Sequence, residues 1–275
     1  MPELPEVETT RRGIATVMPG KALRRFIVHE TRLRWPVSTA TEHAIMGQPV
    51  LDCARRGKYL LIQYPAGTQI VHLGMSGSLR RVPLDEPRRK HDHAEWLFDD
   101  ARFLYHDPRR FGAILWHPAT DGPVAGHPLL ANLGVEPFDP AFTPAHLHGQ
   151  FKGKSMAVKQ ALLAGTAVVG VGNIYASEAL FTARIKPTAA AGSLSLRRCT
   201  ALHQAIRDTL SQALESGGST LRDYVNSTGE PGAYFTLHAA VYEKAGQPCK
   251  RCNSKIRRIV QGQRATYYCP RCQAR

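Results

Sequence analysis

C-K-R-C (249–252) and C-P-R-C (269–272) lie near the end of the sequence, sixteen residues apart. Two Cys-x2-Cys hooks at this distance can meet around one tetrahedral zinc ion, with the stretch between them folded as a short hairpin. The same four cysteines could form two disulfides in a secreted protein. No apolar signal segment opens the sequence, so a reducing cytosol is the expected setting and zinc the expected partner. Cys249, Cys252, Cys269 and Cys272 are therefore the candidate metal ligands. Cys53 and Cys199 are far apart in sequence and read as small buried apolar residues.

The charge around these hooks points to a polyanion. Residues 249–275 hold eight Lys or Arg and no Asp or Glu. Four thiolates need no such excess, which leaves it available for phosphates. The 275-residue chain carries a formal net charge of +14, more than a solvated surface requires. Anionic membrane is the rival partner. No basic amphipathic segment with an exposed aromatic face and no run of membrane-spanning length supports it. A hydrophobic content of 43% is enough for a real core. At the other end the sign reverses, with Glu3, Glu6 and Glu8 crowding the first eight residues.

Residues 6–18 read as a helix, with Pro5 in the entering turn, acidic residues at the positive end and Gly20 beyond the stop. Strands are expected at Phe26–His29, Tyr59–Tyr64, Gln69–Met75, Glu95–Phe98, Arg102–His106 and Gly112–Trp116, with a hairpin turn at Asp99-Asp100. Many short strands argue a β-sandwich or barrel. The polar stretch 84–93 reads as a loop, and the Pro/Gly-rich stretch 117–142 as an interdomain linker. Helical periodicity follows: Leu196, Cys199, Leu202, Ile206, Leu210 and Ala213 lie on one stripe that Gly217-Gly218 stops. A shorter helix is expected from Asn173 to Thr182. The preceding G-V-G-N could leave amides open to a phosphate, although an ordinary tight turn fits as well. S-T-G-E-P-G-A-Y (227–234) reads as a mobile loop.

The acidic amino end has a chemical reading. Loss of Met1 would leave Pro2 as a secondary amine whose pKa, near ~8, lies well below that of lysine. Such an amine can attack a sugar carbon and give a charged iminium, an electron sink for elimination. Glu3 could move protons, and Glu6 could hold the amine or cap the helix. On these six residues alone, an ordinary helix start is the better reading.

The opening M-P-E-L-P-E-V-E-T resembles the start of the formamidopyrimidine-DNA glycosylase family. R-R-G-K-Y-L (55–60), H-L-G-M-S-G-S-L (72–79), K-H-D-H (90–93), D-P-R-R-F-G (107–112), G-V-G-N-I-Y-A-S-E (170–178) and Q-R-A-T-Y-Y-C-P-R-C-Q (263–273) resemble family motifs too, in family order. The resemblance spans essentially the whole chain. It implies an α+β protein: an N-terminal β-sandwich with an N-terminal helix, then a helix–two-turn–helix domain and a C-terminal zinc-finger β-hairpin. The expected domains are 1–131, a linker at 132–142, 143–235 and 236–275.

The implied activity is a bifunctional glycosylase and lyase of base excision repair, acting on oxidised purines in duplex DNA. Pro2 would be the nucleophile at C1′ and Glu3 the acid/base. Lys58 would take part in β-elimination and contact the phosphate. Arg264 would serve δ-elimination and phosphate binding from the hairpin between the cysteine hooks, directed at the site of Pro2. A target base must be flipped out of the duplex, and Met75, Arg109 and Phe111 match the residues that fill the hole. The alternative for Met75 and Phe111 is ordinary strand core. His72, His91, Lys154 and Asn173 are candidate DNA-backbone contacts. One structural zinc, damaged double-stranded DNA as partner, a monomer and a cytoplasmic, nucleoid-associated location are also implied. V-Y-E-K-A-G-Q-P-C (241–249) and an extra Ala233 in the lesion loop depart from the usual pattern, and the second leaves lesion preference open. Two rivals remain: the sister branch that prefers oxidised pyrimidines, and a non-catalytic zinc-ribbon DNA-binding protein. The second does not account for Pro2-Glu3 with Lys58.

Overall fold

The computed structural model describes residues 2–219 and 225–274; Met1, whose removal the amine chemistry requires, lies outside the described residues. The chain divides into two compact units, Met1–Ala131 with Leu214–Phe235 and Asn132–Ala213 with Thr236–Arg275. Among the described residues no helix is long and apolar enough to cross a membrane.

The first unit opens with α1 (Leu4–Ala15), capped by Glu3. Proline in the first turn lacks only an amide that has no helical partner there. The helix therefore starts ahead of Pro5 rather than at residue 6 as the sequence suggests. Glu6 occupies the third helical position and its Oε2 accepts the Glu3 amide at 2.7 Å, the reciprocal half of a capping box. Val7 and Ile14, with Met18 beyond the helix, bury the apolar face of this segment.

Next come β1 (Arg25–Val28), α2 (Thr39–Ile45), β2 (Asp52–Arg56), β3 (Tyr59–Tyr64), β4 (Gly67–His72), β5 (Ser78–Val82), β6 (Asp92–Leu97), β7 (Arg102–His106) and β8 (Ala113–Pro118). They form two four-stranded sheets, ordered β1-β6-β7-β5 and β2-β3-β4-β8. Every pairing is antiparallel. Phe26, Trp96 and Phe103 of one sheet share an apolar cluster with Leu60, Ile62 and Val71 of the other, the arrangement of a β-sandwich. The Trp96 indole N–H donates to Gln69 Oε1 at 2.7 Å, so the sheets are also joined by a buried polar contact. Truncating a fully buried aromatic of this kind costs about 3–5 kcal/mol.

The strand boundaries depart from expectation where local geometry overrules pattern. β4 stops at His72 instead of Met75 because the chain turns through Gly74, at φ 64°. β6 begins at Asp92 instead of Glu95. Asp92 and His93 look like loop residues but are buried. β2 (D-C-A-R-R) and β5 (S-L-R-R-V) carry too many arginines to show apolar alternation, and neither is legible as a strand. The Asp99-Asp100 hairpin forms between β6 and β7, as expected.

Further along the chain are α3 (Pro144–Phe151), α4 (Val158–Leu163), α5 (Asn173–Thr182), α6 (Leu196–Glu215), α7 (Tyr234–Leu237) and the hairpin β9 (Arg257–Gln261) with β10 (Arg264–Tyr268). The expected stripe of α6 is buried from Cys199 to Ala213, but Leu196 is 50% exposed. Within the second unit, Gly134 N–H donates to Gly165 O at 2.7 Å and Val169 N–H to Val135 O at 3.0 Å. The stretch 132–142 is therefore held to this unit by backbone bonds. The β9–β10 turn, Gly262-Gln263, has φ of 51° and 63°, which suits a two-residue hairpin.

Glu178, on α5, secures the segment that leads to this hairpin. Its Oε2 accepts the amide of Ala240 at 2.8 Å, and its Oε1 accepts those of Val241 at 3.0 Å and Tyr242 at 2.8 Å. Burial pushes this carboxyl above its ordinary range, and the three amides pull it back. Glu178→Gln removes acceptor capacity and leaves a buried amide unsatisfied, at a cost of about 1–3 kcal/mol. The expected result is a lower denaturation midpoint in urea; an unchanged midpoint would remove Glu178 as the anchor.

Candidate functional site

Pro2 and Glu3 are both buried at the start of α1. Glu6 fixes their backbone. Beyond the bond from Glu3, its Oε1 accepts the Ser219 amide at 2.6 Å. A Cβ on Gly218, at φ 88°, would lie 3.0 Å from the same oxygen, so glycine lets this turn close on the carboxylate. These hydrogen bonds serve the helix cap, one of the two uses open to Glu6.

Lys58 sits in the two-residue turn between β2 and β3, after Gly57 at φ 56°. Arg55 braces the turn by donating to Gly57 O at 2.9 Å, and reaches Glu8 of α1 at 3.0 Å. Burial would raise the Glu8 carboxyl, but Arg11 and Arg55 together hold it down at about 2. The amino-terminal helix and the Lys58 hairpin are thus tied by a charge that persists across the physiological range. His72 lies close to Lys58 in electrostatic terms. Burial first, then the positive charges of Lys58 and Arg34, pull its pKa down to about 4. Its Nδ1 accepts the Gly74 amide at 3.0 Å, which places the proton on Nε2. His72 is therefore a neutral donor at pH 7, not a cation.

Three large side chains stand on turns of the same unit. Met75 is 37% and Phe111 47% exposed, so neither belongs to the core. Arg109 is exposed and its guanidinium lies 5.1 Å from the Phe111 ring centre. His91 is half-buried, at φ 75°, on the turn that enters β6. Pro2, Glu3, Lys58, His72, Met75, His91, Arg109 and Phe111 all belong to the first unit, and Lys154, Asn173, Arg264 and the four hook cysteines to the second.

In the second unit Arg264 is exposed at the start of β10. The carbonyl of its neighbour, Ala265, accepts from Asn173 Nδ2 at 3.0 Å and from Lys159 Nζ at 3.1 Å. Lys159 is fully buried and also donates to Thr266 Oγ1 at 2.8 Å. Asn173 thus uses its amide nitrogen on protein partners, Ala265 and Tyr242. Lys154 is half-buried beyond α3. Lys159 escapes sequence reading because V-K-Q-A-L-L gives no sign that its lysine points inward. Asp107 escapes it for another reason: before Pro108 it reads only as a turn former, yet it is fully buried and hydrogen-bonded on both oxygens.

The four hook sulfurs all lie within 4.8 Å of one another. Cys249 and Cys272 are 3.9 Å apart and Cys252 and Cys269 are 3.4 Å apart, well beyond a disulfide bond of about 2.05 Å. Tetrahedral ligands at the usual Zn–S length of about 2.3 Å would be separated by about 3.8 Å. Amides of Arg251 and Cys272 donate to Cys249 and Cys269 Sγ, each at 3.4 Å, as they would to thiolates. The donor set fits one structural zinc.

Three family models match the chain in succession: the formamidopyrimidine-DNA glycosylase N-terminal domain at residues 1–114, the H2TH domain of the same enzymes at 133–225, and a zinc finger found in FPG and IleRS at 246–275. The chain is 65% identical over 275 residues to a formamidopyrimidine-DNA glycosylase of Bordetella pertussis, covering 100% of both. It is 58% identical to that of Burkholderia lata, covering 99% of this chain and 100% of the other. Among solved structures, a Lactococcus lactis FPG mutant in complex with Fapy-dG-containing DNA superposes with a TM-score of 0.91 at 32% identity, covering 100% of both chains. The wild-type Lactococcus lactis protein with oxidised-pyrimidine-containing DNA gives 0.90 at 32% identity over 100% of both. MutM from Thermus thermophilus gives 0.88 at 38% identity over 99% of each. With consecutive family models across its length and full-length relatives at this identity, the chain belongs to the formamidopyrimidine-DNA glycosylase family.

Proposed function

We propose that this DNA glycosylase of base excision repair also cleaves the strand, and that its substrates are oxidised purines, 8-oxoguanine and formamidopyrimidines, in duplex DNA. The observation that carries the reading is Pro2-Glu3, held at the capped start of α1 by a buried carboxylate. Once Met1 is removed, the Pro2 nitrogen attacks C1′ and the bond from C1′ to the base breaks, its electron pair leaving with the base. Opening of the sugar ring, with a proton delivered to O4′ by Glu3, gives an iminium between Pro2 and C1′. Loss of a C2′ proton then expels the 3′ phosphate, and a second elimination expels the 5′ phosphate. Water then adds to C1′ and the bond from C1′ to Pro2 breaks, freeing the amine and releasing the unsaturated sugar remnant as an aldehyde; the DNA is left with a one-nucleotide gap flanked by phosphates. Lys58 serves the first elimination and Arg264 the second, each also binding phosphate.

Met75, Arg109 and Phe111 fill the space the flipped nucleotide leaves, Arg109 facing the orphaned base. His72 is a neutral Nε2–H donor to phosphate, while His91, Lys154 and the main-chain amide of Asn173, at the start of α5, complete the grip on the backbone. The Asn173 side-chain nitrogen is already engaged by Ala265 and Tyr242. The zinc takes no part in the chemistry; it holds the β9–β10 hairpin that carries Arg264. The enzyme works as a monomer in the cytoplasm, on the nucleoid. Solved relatives from Lactococcus lactis hold Fapy-dG, an abasic site and an oxidised pyrimidine in bound DNA, so the lesion test must include a pyrimidine.

Borohydride should trap the enzyme covalently on an 8-oxoguanine:cytosine duplex, more readily than on one with thymine glycol. Pro2→Gly should weaken the trap severely. No trapped species with the wild-type chain would overturn the lyase assignment, and preferential trapping on thymine glycol would move the enzyme to the pyrimidine branch. Stripping zinc with a chelator should abolish DNA binding and strand cleavage together and leave the β-sandwich folded, as read by tryptophan fluorescence. NMR titration should show His72 neutral, with its proton on Nε2, until the pH approaches 4. Its native pKa lies below its unfolded value, so its contribution to stability is complete above about 6.5 and is lost as the pH falls toward 4. A His72 that titrates near 6.5 would contradict this environment.

A further inference from the structure

Asp107 has no role in the chemistry above, yet it is fully buried and touches three turns at once. Its Oδ1 accepts the Ser76 hydroxyl at 2.9 Å, next to Met75. Its Oδ2 accepts the Gly112 amide at 2.8 Å, next to Phe111. Its own amide donates to His91 O at 3.0 Å, and its carbonyl accepts from the Arg110 amide at 3.2 Å and from His93 Nε2 at 2.8 Å. The two exposed tips, Met75 and Arg109–Phe111, thus hang from one carboxylate.

Backbone packing points the same way. A Cβ on Gly74 would lie 2.4 Å from Gly112 N and 2.5 Å from the Phe111 carbonyl carbon. The two turns therefore touch main chain to main chain. Behind them Tyr105 Oη donates to His72 O at 3.0 Å, and a Cβ on Gly112 would fall 1.7 Å from that hydroxyl. Glycines make this closeness possible, but a glycine-rich turn by itself has many conformations to lose. An apolar tip on such a turn would have to be ordered each time it entered a base stack. A turn already braced carries less of that cost at binding.

We propose that Asp107 is a positioning residue that joins the Met75 turn and the Arg109–Phe111 turn into one wedge, so that the three side chains enter the duplex together. This rests on the reading that these side chains fill the space of the flipped nucleotide. The buried carboxylate accepts one donor from each turn. Displacing either turn would strand a charged acceptor away from water, which is costly.

Asp107→Ala would empty a buried site and could prevent folding, so Ser76→Ala is the better probe. It cuts the Met75 arm and leaves the Gly112 arm intact. The signal is 2-aminopurine fluorescence beside an 8-oxoguanine in duplex DNA, which reads insertion, followed by stopped flow. Met75→Ala and Phe111→Ala are made singly and together, in the wild-type chain and in Ser76→Ala. In the wild-type background each single change should slow insertion about tenfold, with the double little slower than the worse single, as for coupled neighbours. In the Ser76→Ala background the two effects should multiply, as for independent sites. Ser76→Ala itself should slow insertion and lower the thermal midpoint modestly, because Asp107 Oδ1 loses one buried donor, with the chain still folded. Single changes that slow insertion and multiply in both backgrounds overturn the brace and leave the insertion reading standing. Single changes without effect on the signal overturn the insertion reading, and the brace with it.

Discussion

Glu6 is a carboxylate sealed from solvent, with one oxygen on the Glu3 amide and the other on the Ser219 amide. A buried charge without partners would cost several kcal/mol or take up a proton; here both oxygens hold short bonds to backbone donors. The arrangement leaves Pro2-Glu3 little freedom. α1 is seated on the sandwich through Val7 and Ile14 and tied to the Lys58 hairpin through Glu8 and Arg55. The position of the candidate nucleophile thus follows from a helix cap, a core contact and an ion pair, all set before substrate is present. Catalysis by orientation depends on such prior ordering.

The same device recurs. Asp107 accepts from a hydroxyl and an amide on two turns, and Glu178 accepts three successive amides ahead of the zinc hairpin. In each case a buried acid satisfies backbone donors that a loop would otherwise direct at water. A chain with a net charge of +14 has cations in excess for its surface, and it uses acids to organise turns. Surface arginines and lysines can then face a polyanion, while the turns that present them stay fixed. His72 follows a related logic: burial beside Lys58 keeps it neutral, so it offers a hydrogen bond without adding to cationic repulsion.

The sequence carried much of this in forms a linear reading can detect. Cysteine spacing is a local code, and the four sulfurs converge as it implies. The α6 stripe is periodic, and periodicity survives into structure because one face must be buried; Tyr59–Tyr64 and Arg102–His106 are instead short apolar runs, each with three successive buried residues. What escaped has a common cause. β2 and β5 are arginine-rich, and their strand character comes from the neighbours they pair with. Leu196 fits the stripe of α6 but lies beyond what the core covers. S-T-G-E-P-G-A-Y reads as free loop, yet Ser227 is buried against Gly13, where a Cβ would lie 1.6 Å from its hydroxyl.

By itself the sequence determined the zinc ligands, the family motifs in their order, the basic character and the residue types at the amino end. These depend on identity and spacing along the chain, and both are written in one dimension. Only the tertiary structure decided which acids are buried and what they hold. Nothing in the sequence marks Glu6, Asp107 and Glu178 as buried, because each takes at least one partner from a segment 31 to 213 residues away. The hydrogen bonds that give them a role form only when the fold excludes water from both partners at once.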